Sequence, residues 1–208
     1  MTPAIVVTGT DTDVGKTVFA AALAGALDAH YWKPVQAGLD GGSDSERIAA
    51  LSGLQPERIL AEAYCLTTPC SPHRAAALDG LEIDLKRLLL PSLGRVVVVE
   101  GAGGALVPLT GRTLFADLFV RWGAPVVIVA RTALGTINHS LMTIEALRRR
   151  RIPILGVAFV GDPREDSEQT VARLGKVRRL GRLPFLDPLN RDTLARAFAA
   201  NFSLTDFQ

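Results

Sequence analysis

A doubly wound α/β fold with a mainly parallel sheet is what this sequence predicts. The runs Ala4–Thr8, Val96–Glu100, Pro125–Ala130 and Pro153–Val160 are rich in Val and Ile and lack polar alternation. Strands apolar on both faces belong inside a parallel sheet covered by helices. Helical segments separate these runs, as right-handed βαβ crossovers require. The chain has 208 residues, enough for one domain over 1–208 with a substantial core.

The elements follow in order. Ala4–Thr8 opens the sheet, and an Ala- and Leu-rich helix runs over Gly15–Asp28. Tyr31–Val35 is a weaker strand, and a helix is expected over Ser43–Ser52. The stretch Ala37–Gly80 is the least regular, punctuated by Gly-Gly, Pro and Cys-Ser-Pro-His. A helix is expected over Leu81–Leu90 before the strand Val96–Glu100. Further helices are expected over Leu114–Arg121, Gly135–Arg150, Asp166–Leu174 and Asp192–Ala199, with a weak strand at Val177–Leu183. In such a sheet, ligands sit beyond the carboxyl ends of the strands, so the residues after each strand carry the functional expectations.

Composition narrows the function. The formal net charge of +2 gives no electrostatic argument for nucleic acid, and no long basic run suggests a membrane surface; the one basic cluster, Arg148–Arg151, reads as a solvated helix end. The N-terminus lacks a signal-peptide pattern, and no apolar stretch reaches the roughly 20 residues of a membrane span. Cys65 and Cys70 read as two buried thiols, with no second pair to complete a zinc site. A cytoplasmic location is the expectation.

After the first strand comes Thr8-Gly9-Thr10-Asp11-Thr12-Asp13-Val14-Gly15-Lys16-Thr17, followed by a helix. This is the strand–loop–helix setting of a P-loop. Its backbone amides can cradle phosphate, Lys16 can reach the terminal phosphates, and the Thr17 hydroxyl can ligate magnesium. The upstream glycine, Gly9, stands one residue earlier than the common pattern requires. Val96–Glu100 ends in an acid and a glycine turn, Gly101-Ala102-Gly103-Gly104, where P-loop proteins place an acid that serves the metal. Lys33 sits in an apolar strand and points at an anionic group or snorkels to water. Asp44 reads equally as a first-turn acid favoured by the helix dipole and as a metal ligand.

Together these segments resemble the dethiobiotin synthetase family, over nearly the whole chain and in order. The resemblance rests on TGTDTDVGKT at Thr8–Thr17, KPV at Lys33–Val35, Asp44 and SPH at Ser71–His73. It continues through VEGAGG at Val99–Gly104, FAD at Phe115–Asp117, GTINH at Gly135–His139 and Pro184-Phe185-Leu186. It implies a P-loop NTPase-like fold and ATP- and Mg2+-dependent ring closure on 7,8-diaminopelargonate with CO2, giving dethiobiotin, ADP and phosphate. By resemblance Lys16 and Lys33 face the reacting carbamate and γ-phosphate, and Thr17, Asp44 and Glu100 hold magnesium. Asp13, Val14, Gly15, Val18, Gly101, Ala102, Gly103, Val160, Gly161, Pro184, Phe185 and Leu186 complete the nucleotide site. Thr12, Ala37, Gly135, Thr136, Ile137 and Asn138 are assigned to substrate, the last four across a homodimer interface. Asn138 and His139 also read as plain polar residues at a helix start.

Two positions depart from the family. Ala37 stands where a serine is common, and Val160 where an asparagine reads the adenine, so base preference among triphosphates is expected to be relaxed. A ParA/MinD-like switch ATPase is the alternative reading. Those proteins carry a second lysine at the position of Asp11, and the C-terminus here lacks a basic amphipathic helix. A cobyrinate-type amidoligase would need a glutaminase domain for which this chain has no length.

Overall fold

The computed structural model describes residues 3–207; Met1, Thr2 and Gln208, at the ends of the sequence reading, lie outside it. The elements are β1 (Ala4–Gly9), α1 (Lys16–Ala26), β2 (His30–Trp32), β3 (Val35–Ala37), α2 (Asp44–Ser52), β4 (Ile59–Leu60), β5 (Tyr64–Leu66) and α3 (Pro72–Leu78). Then follow β6 (Val97–Gly104), α4 (Phe115–Trp122), β7 (Val126–Arg131), α5 (Thr136–Arg149), β8 (Ile154–Val160), α6 (Glu165–Gly175), β9 (Arg179–Leu183) and α7 (Arg191–Asn201).

Seven strands form one sheet in the order β4-β2-β6-β1-β7-β8-β9. The register is parallel throughout, with Val6 opposite both Val99 and Val126. Because β1, β6 and β7 are central, their Val and Ile side chains are buried on both faces, which is why these runs show no alternation. One apolar layer packs Phe115, Phe119 and Trp122 of α4 with Leu147 of α5. The other packs α1 and α7, where Phe19, Phe198, Phe202 and Phe207 cluster; Phe198 stacks on Phe202 at 4.8 Å. Each such aromatic pair adds about 0.5–1.5 kcal/mol beyond its buried area. The cluster clamps α1, the helix that carries the phosphate loop. No helix among the described residues is long and apolar enough to cross a membrane.

Three expectations are corrected. The strand expected over Tyr31–Val35 breaks at Lys33-Pro34 into β2, in the main sheet, and β3, paired with β5 in a separate two-stranded sheet. Pro34 has no N–H for the ladder; its carbonyl instead accepts from Ala63 N and Tyr64 N. The helix expected over Leu81–Leu90 is reduced to one 3-10 turn, Leu85–Leu88. Asp84 accepts from Lys86 N, a local bond that competes with helix, and Pro91 disfavours helical geometry at Leu90. Finally, Cys65 is exposed and Cys70 half-buried. The short strand β5 turns Tyr64 and Leu66 inward, which sends Cys65 outward.

α3 was not expected, although its signal is legible: Ser71 at the N-cap, Pro72 in the first turn and then Ala75-Ala76-Ala77. β9 starts at Arg179, after Lys176 ends α6 in a left-handed conformation.

Candidate active site at the carboxyl edge of the sheet

The phosphate loop leaves β1, where Thr10 N donates to Val129 O (3.0 Å) of the neighbouring strand. Gly9 is required by closeness: a Cβ there would lie 2.7 Å from Asp11 O and 2.9 Å from Lys16 Nζ. The glycine displaced by one residue therefore lets the loop fold back over its own lysine. Gly15, at φ 92°, precedes the first turn of α1, and a Cβ on it would meet Val160 at 2.9 Å. Lys16 Nζ donates to Asp11 O at 2.8 Å.

Facing the loop, α2 and β6 bring two carboxylates together. Ser43 caps α2, its hydroxyl accepting from Glu46 N while Glu46 accepts from Ser43 N. This capping box, worth about 1 kcal/mol, fixes where Asp44 enters the site. Gln36 accepts from Asp44 N and donates to Gly38 O (2.8 Å), tying β3 to the same corner. Glu100 is fully buried at the end of β6's apolar run. Thr17 Oγ1 lies 2.9 Å from both Asp44 Oδ1 and Glu100 Oε1. Its one proton serves one carboxylate at a time, which leaves oxygen lone pairs converging on one point.

Lys33 settles its two readings in favour of the anionic partner. Its ammonium is buried, 3.0 Å from Glu100 Oε1 and paired also with Asp44 Oδ2. The break at Pro34 leaves Lys33 at the end of β2, facing β6. Tyr31, in the same strand, donates its hydroxyl to Glu100 Oε2 at 2.9 Å, so both oxygens of this buried carboxylate are engaged.

Charge states follow from this packing. Burial pulls the Lys33 ammonium down, but Glu100 and Asp44 together outweigh it and hold its pKa above the ordinary value. Burial pushes Asp44 up, while the Lys33 charge and the bonds from Lys33 and Thr17 prevail and hold it below the usual carboxylate range. For Lys16 burial wins: desolvation, assisted by the Lys33 charge, sets its pKa below 10.5 despite Glu100 and Asp44. Tyr31, buried beside Glu100, is pushed well above 10 and stays a neutral donor.

Two cavities meet at the phosphate loop, sharing Asp13, Gly15 and Val18. The first, of about 580 Å³, is polar and holds Thr12, Lys16, Thr17, Lys33, Asp44 and Glu100. Ala37, Ala102 and Gly103 also border it. The second, of about 450 Å³, is more apolar and lies between β8 and the segment after β9, with Val14, Val160, Pro184, Phe185 and Leu186 in its wall. Other expected positions fall outside both. Gly101 is buried behind the cleft against Phe119, and Gly161 sits beside Phe185. Gly135, Thr136, Ile137 and Asn138, at the start of α5, line neither cavity.

Several cavity residues were not foreseen. Gln36, Asp40 and Arg47 border the polar cleft, and Arg131, Thr132 and Asp162 the apolar one. Arg131 ends β7, Thr132 follows it and Asp162 stands two residues past β8, so inspecting every strand end would have found them. Tyr31 gives no such signal, because an aromatic residue inside a strand reads as core.

A parallel sheet with a phosphate loop after β1, a lysine in that loop and an acid at the end of the adjacent strand define a P-loop nucleotide-binding protein. Solved structures agree on the fold. A ParA family ATPase from Chlorobium tepidum TLS matches 96% of this chain and 91% of its own, at TM-score 0.51 and 11% identity. The septum site-determining protein MinD from Pyrococcus horikoshii OT3 matches 95% and 86%, at TM-score 0.52 and 12% identity. A family model described as an AAA domain matches residues 3–193. Sequence relatives are far nearer. An ATP-dependent dethiobiotin synthetase of Rhodopseudomonas palustris strain BisB18 is 63% identical over 207 residues, covering 100% of this chain and 99% of its own length. One of Rhizorhabdus wittichii is 66% identical over the same coverage, and one of Novosphingobium aromaticivorans 64% identical over 98% of each. The chain belongs to the ATP-dependent dethiobiotin synthetase family.

Proposed function

We propose that this chain carries out the family's reaction on 7,8-diaminopelargonate, CO2 and ATP in the two joined cavities, as one domain in the cytoplasm. The observation that carries this reading is the convergence of Lys16, Thr17, Lys33, Asp44 and Glu100 where the polar and apolar cavities meet. ATP would lie with its phosphates on the loop between Gly9 and Thr17 and its base in the apolar cavity. The diamine would occupy the polar cleft.

The donor set suits magnesium. Thr17, Asp44 and Glu100 present hard oxygens to one point, leaving other positions to phosphate oxygens and water. Bound there, the ion would neutralise charge that develops between the β- and γ-phosphates. In the reaction, one substrate amine adds CO2 to form a carbamate. A carbamate oxygen attacks the γ-phosphorus and ADP departs. The second amine attacks the carbamoyl carbon, loses its proton and expels phosphate as the ring closes. The chain supplies position and positive charge: Lys16 beside the phosphates and Lys33 facing the carbamate as the transition state spreads its charge.

A homodimer fits the position of α5. Gly135–Asn138 sit outside both cavities beside Leu134, which is 104% exposed, and Met142 is exposed further along the helix. A second copy could present this helix start to the substrate's carboxylate.

The test of this reading is phosphate release from MgATP and bicarbonate with and without the diamine. Strong stimulation, with a ureido-ring product, supports it. Slow hydrolysis that ignores the diamine sinks it.

Two further results are expected. Val160 supplies only methyl groups at the position where the family's asparagine reads the base, so CTP or GTP should support initial rates within about tenfold of ATP. Strict ATP dependence contradicts this. Because the Lys16 pKa lies below 10.5, its ammonium loses its proton earlier on the alkaline side than that of a free lysine. Bound phosphate oxygens favour the charged form and raise the pKa. MgATP binding should therefore weaken as pH rises toward 10.5 and take up a proton in that window. Calorimetry in two buffers of different ionisation heat checks this, and equal heats in both would exclude it.

A further inference from the structure

We propose that Arg182, held by the buried carboxylate of Glu168, is a positioning residue for the nucleotide base: it fixes the loop after β8 that walls the apolar cavity. This rests on the reading that the base occupies that cavity.

Glu168 is fully buried in the first turns of α6, an unusual place for a carboxylate without a metal or substrate role. All of its capacity is used. Oε2 accepts from Arg179 through Nε (2.9 Å) and Nη2 (2.6 Å). Oε1 accepts from the backbone N–H of Arg164 (3.2 Å) and lies 3.5 Å from Arg182 Nε. Arg182, on β9, uses its other side to donate from Nη1 to Gly161 O at 2.9 Å.

The two ends of the loop Gly161–Arg164 are thus tied to one carboxylate, at Arg164 directly and at Gly161 through the Arg182 fork. Asp162 and Arg164 in this loop border the apolar cavity, together with Val160 just before it. Thr132 N donates to Val160 O and Gly161 N to Leu183 O, so the strand ends are locked to each other while the loop beyond them relies on Glu168 and Arg182. With Val160 offering no polar atom to the base, the wall on this side orients it by shape, and shape is kept only while the loop is held. None of these side chains touches the polar cleft, so the network acts on nucleotide binding and leaves the chemistry alone.

The experiment compares binding of MgATP with that of magnesium tripolyphosphate, which has the phosphates but no base. The variants are Arg182→Met and Arg182→Lys. The second keeps a cation beside Glu168 but cannot bridge to Gly161 O, so it guards against a folding defect in the first. The unaltered chain should bind MgATP more tightly than tripolyphosphate. In both variants that advantage should shrink by about tenfold, the usual effect of losing a charge-assisted hydrogen bond. Tripolyphosphate affinity, and kcat at saturating ATP, should stay within about twofold. The proposal is overturned if the advantage survives in both variants, or if both ligands weaken together with a lowered melting temperature, which marks a purely structural network. If the unaltered chain binds the two ligands equally, the base lies elsewhere and the reading beneath the proposal fails, a result the variants cannot mimic.

Discussion

Replacing Lys33 with alanine should cut turnover by orders of magnitude and destabilise the fold as well. The ammonium sits between Asp44 and Glu100 with almost no access to water. Its removal leaves a fully buried carboxylate beside a second one without a cation. Breaking a buried pair in this way costs about 3–5 kcal/mol. In a chain of this size that corresponds to a melting temperature lower by on the order of 10 °C. The sign with pH is set by the raised pKa. Stabilisation by Lys33 is complete below its unfolded value of 10.5 and is lost as pH climbs through its higher folded value. The gap between parent and variant should therefore close only in strong alkali. Magnesium should return part of the lost stability to the variant, because Thr17, Asp44 and Glu100 would gain the cation they lack. Turnover should fall by about 10²–10³-fold, as when one charge-stabilising donor is removed from a transition state. Thermal melts with and without magnesium, alongside phosphate release, measure all of this. A variant that melts with the parent would show that the carboxylates need no cation from Lys33.

Lys16→Ala should behave in the opposite way towards stability. Turnover and MgATP affinity should drop by about 10²-fold or more, since the loop loses its only lysine at the phosphates. The fold should lose nothing at neutral pH. Its lowered pKa means that packing disfavours this charge, so the unfolded chain binds the proton more readily between the folded pKa and 10.5. Its one bond, to Asp11 O, is made to a loop carbonyl that water can serve instead, because Asp11 is exposed. A clear fall in melting temperature would contradict this. Two lysines in one cleft thus separate into a structural counter-charge and a charge held in readiness for phosphate.

Most of the sheet was legible because parallel strands buried on both faces write themselves as unbroken Val and Ile runs. β1, β6, β7 and β8 were placed to within a few residues at their ends. The elements misread are those whose local pattern is ambiguous. Leu81–Leu90 has helical spacing but is overruled by Asp84 and Pro91. Tyr31–Val35 is one apolar run that Pro34 divides between two sheets. The phosphate loop follows a strand, Asp44 opens a helix, and Lys33 and Glu100 are charges set in or at the end of apolar runs; those positions made them candidates, and the family resemblance supplied their roles.

What the sequence by itself determined is therefore the fold class, the phosphate loop and the charged residues gathered after the strands. Those signals are local: periodicity, a glycine-bearing turn, an acid at the end of an apolar run. Tertiary structure alone decided which charges neutralise each other. Nothing in the spacing of Lys33, Asp44 and Glu100 says that one ammonium lies between two carboxylates, or that Tyr31 holds the far oxygen of Glu100. Nor does it say that Glu168 reaches Gly161 through Arg182. Pairing of this kind depends on distances between separate elements, and those are set by how the helices pack on the sheet.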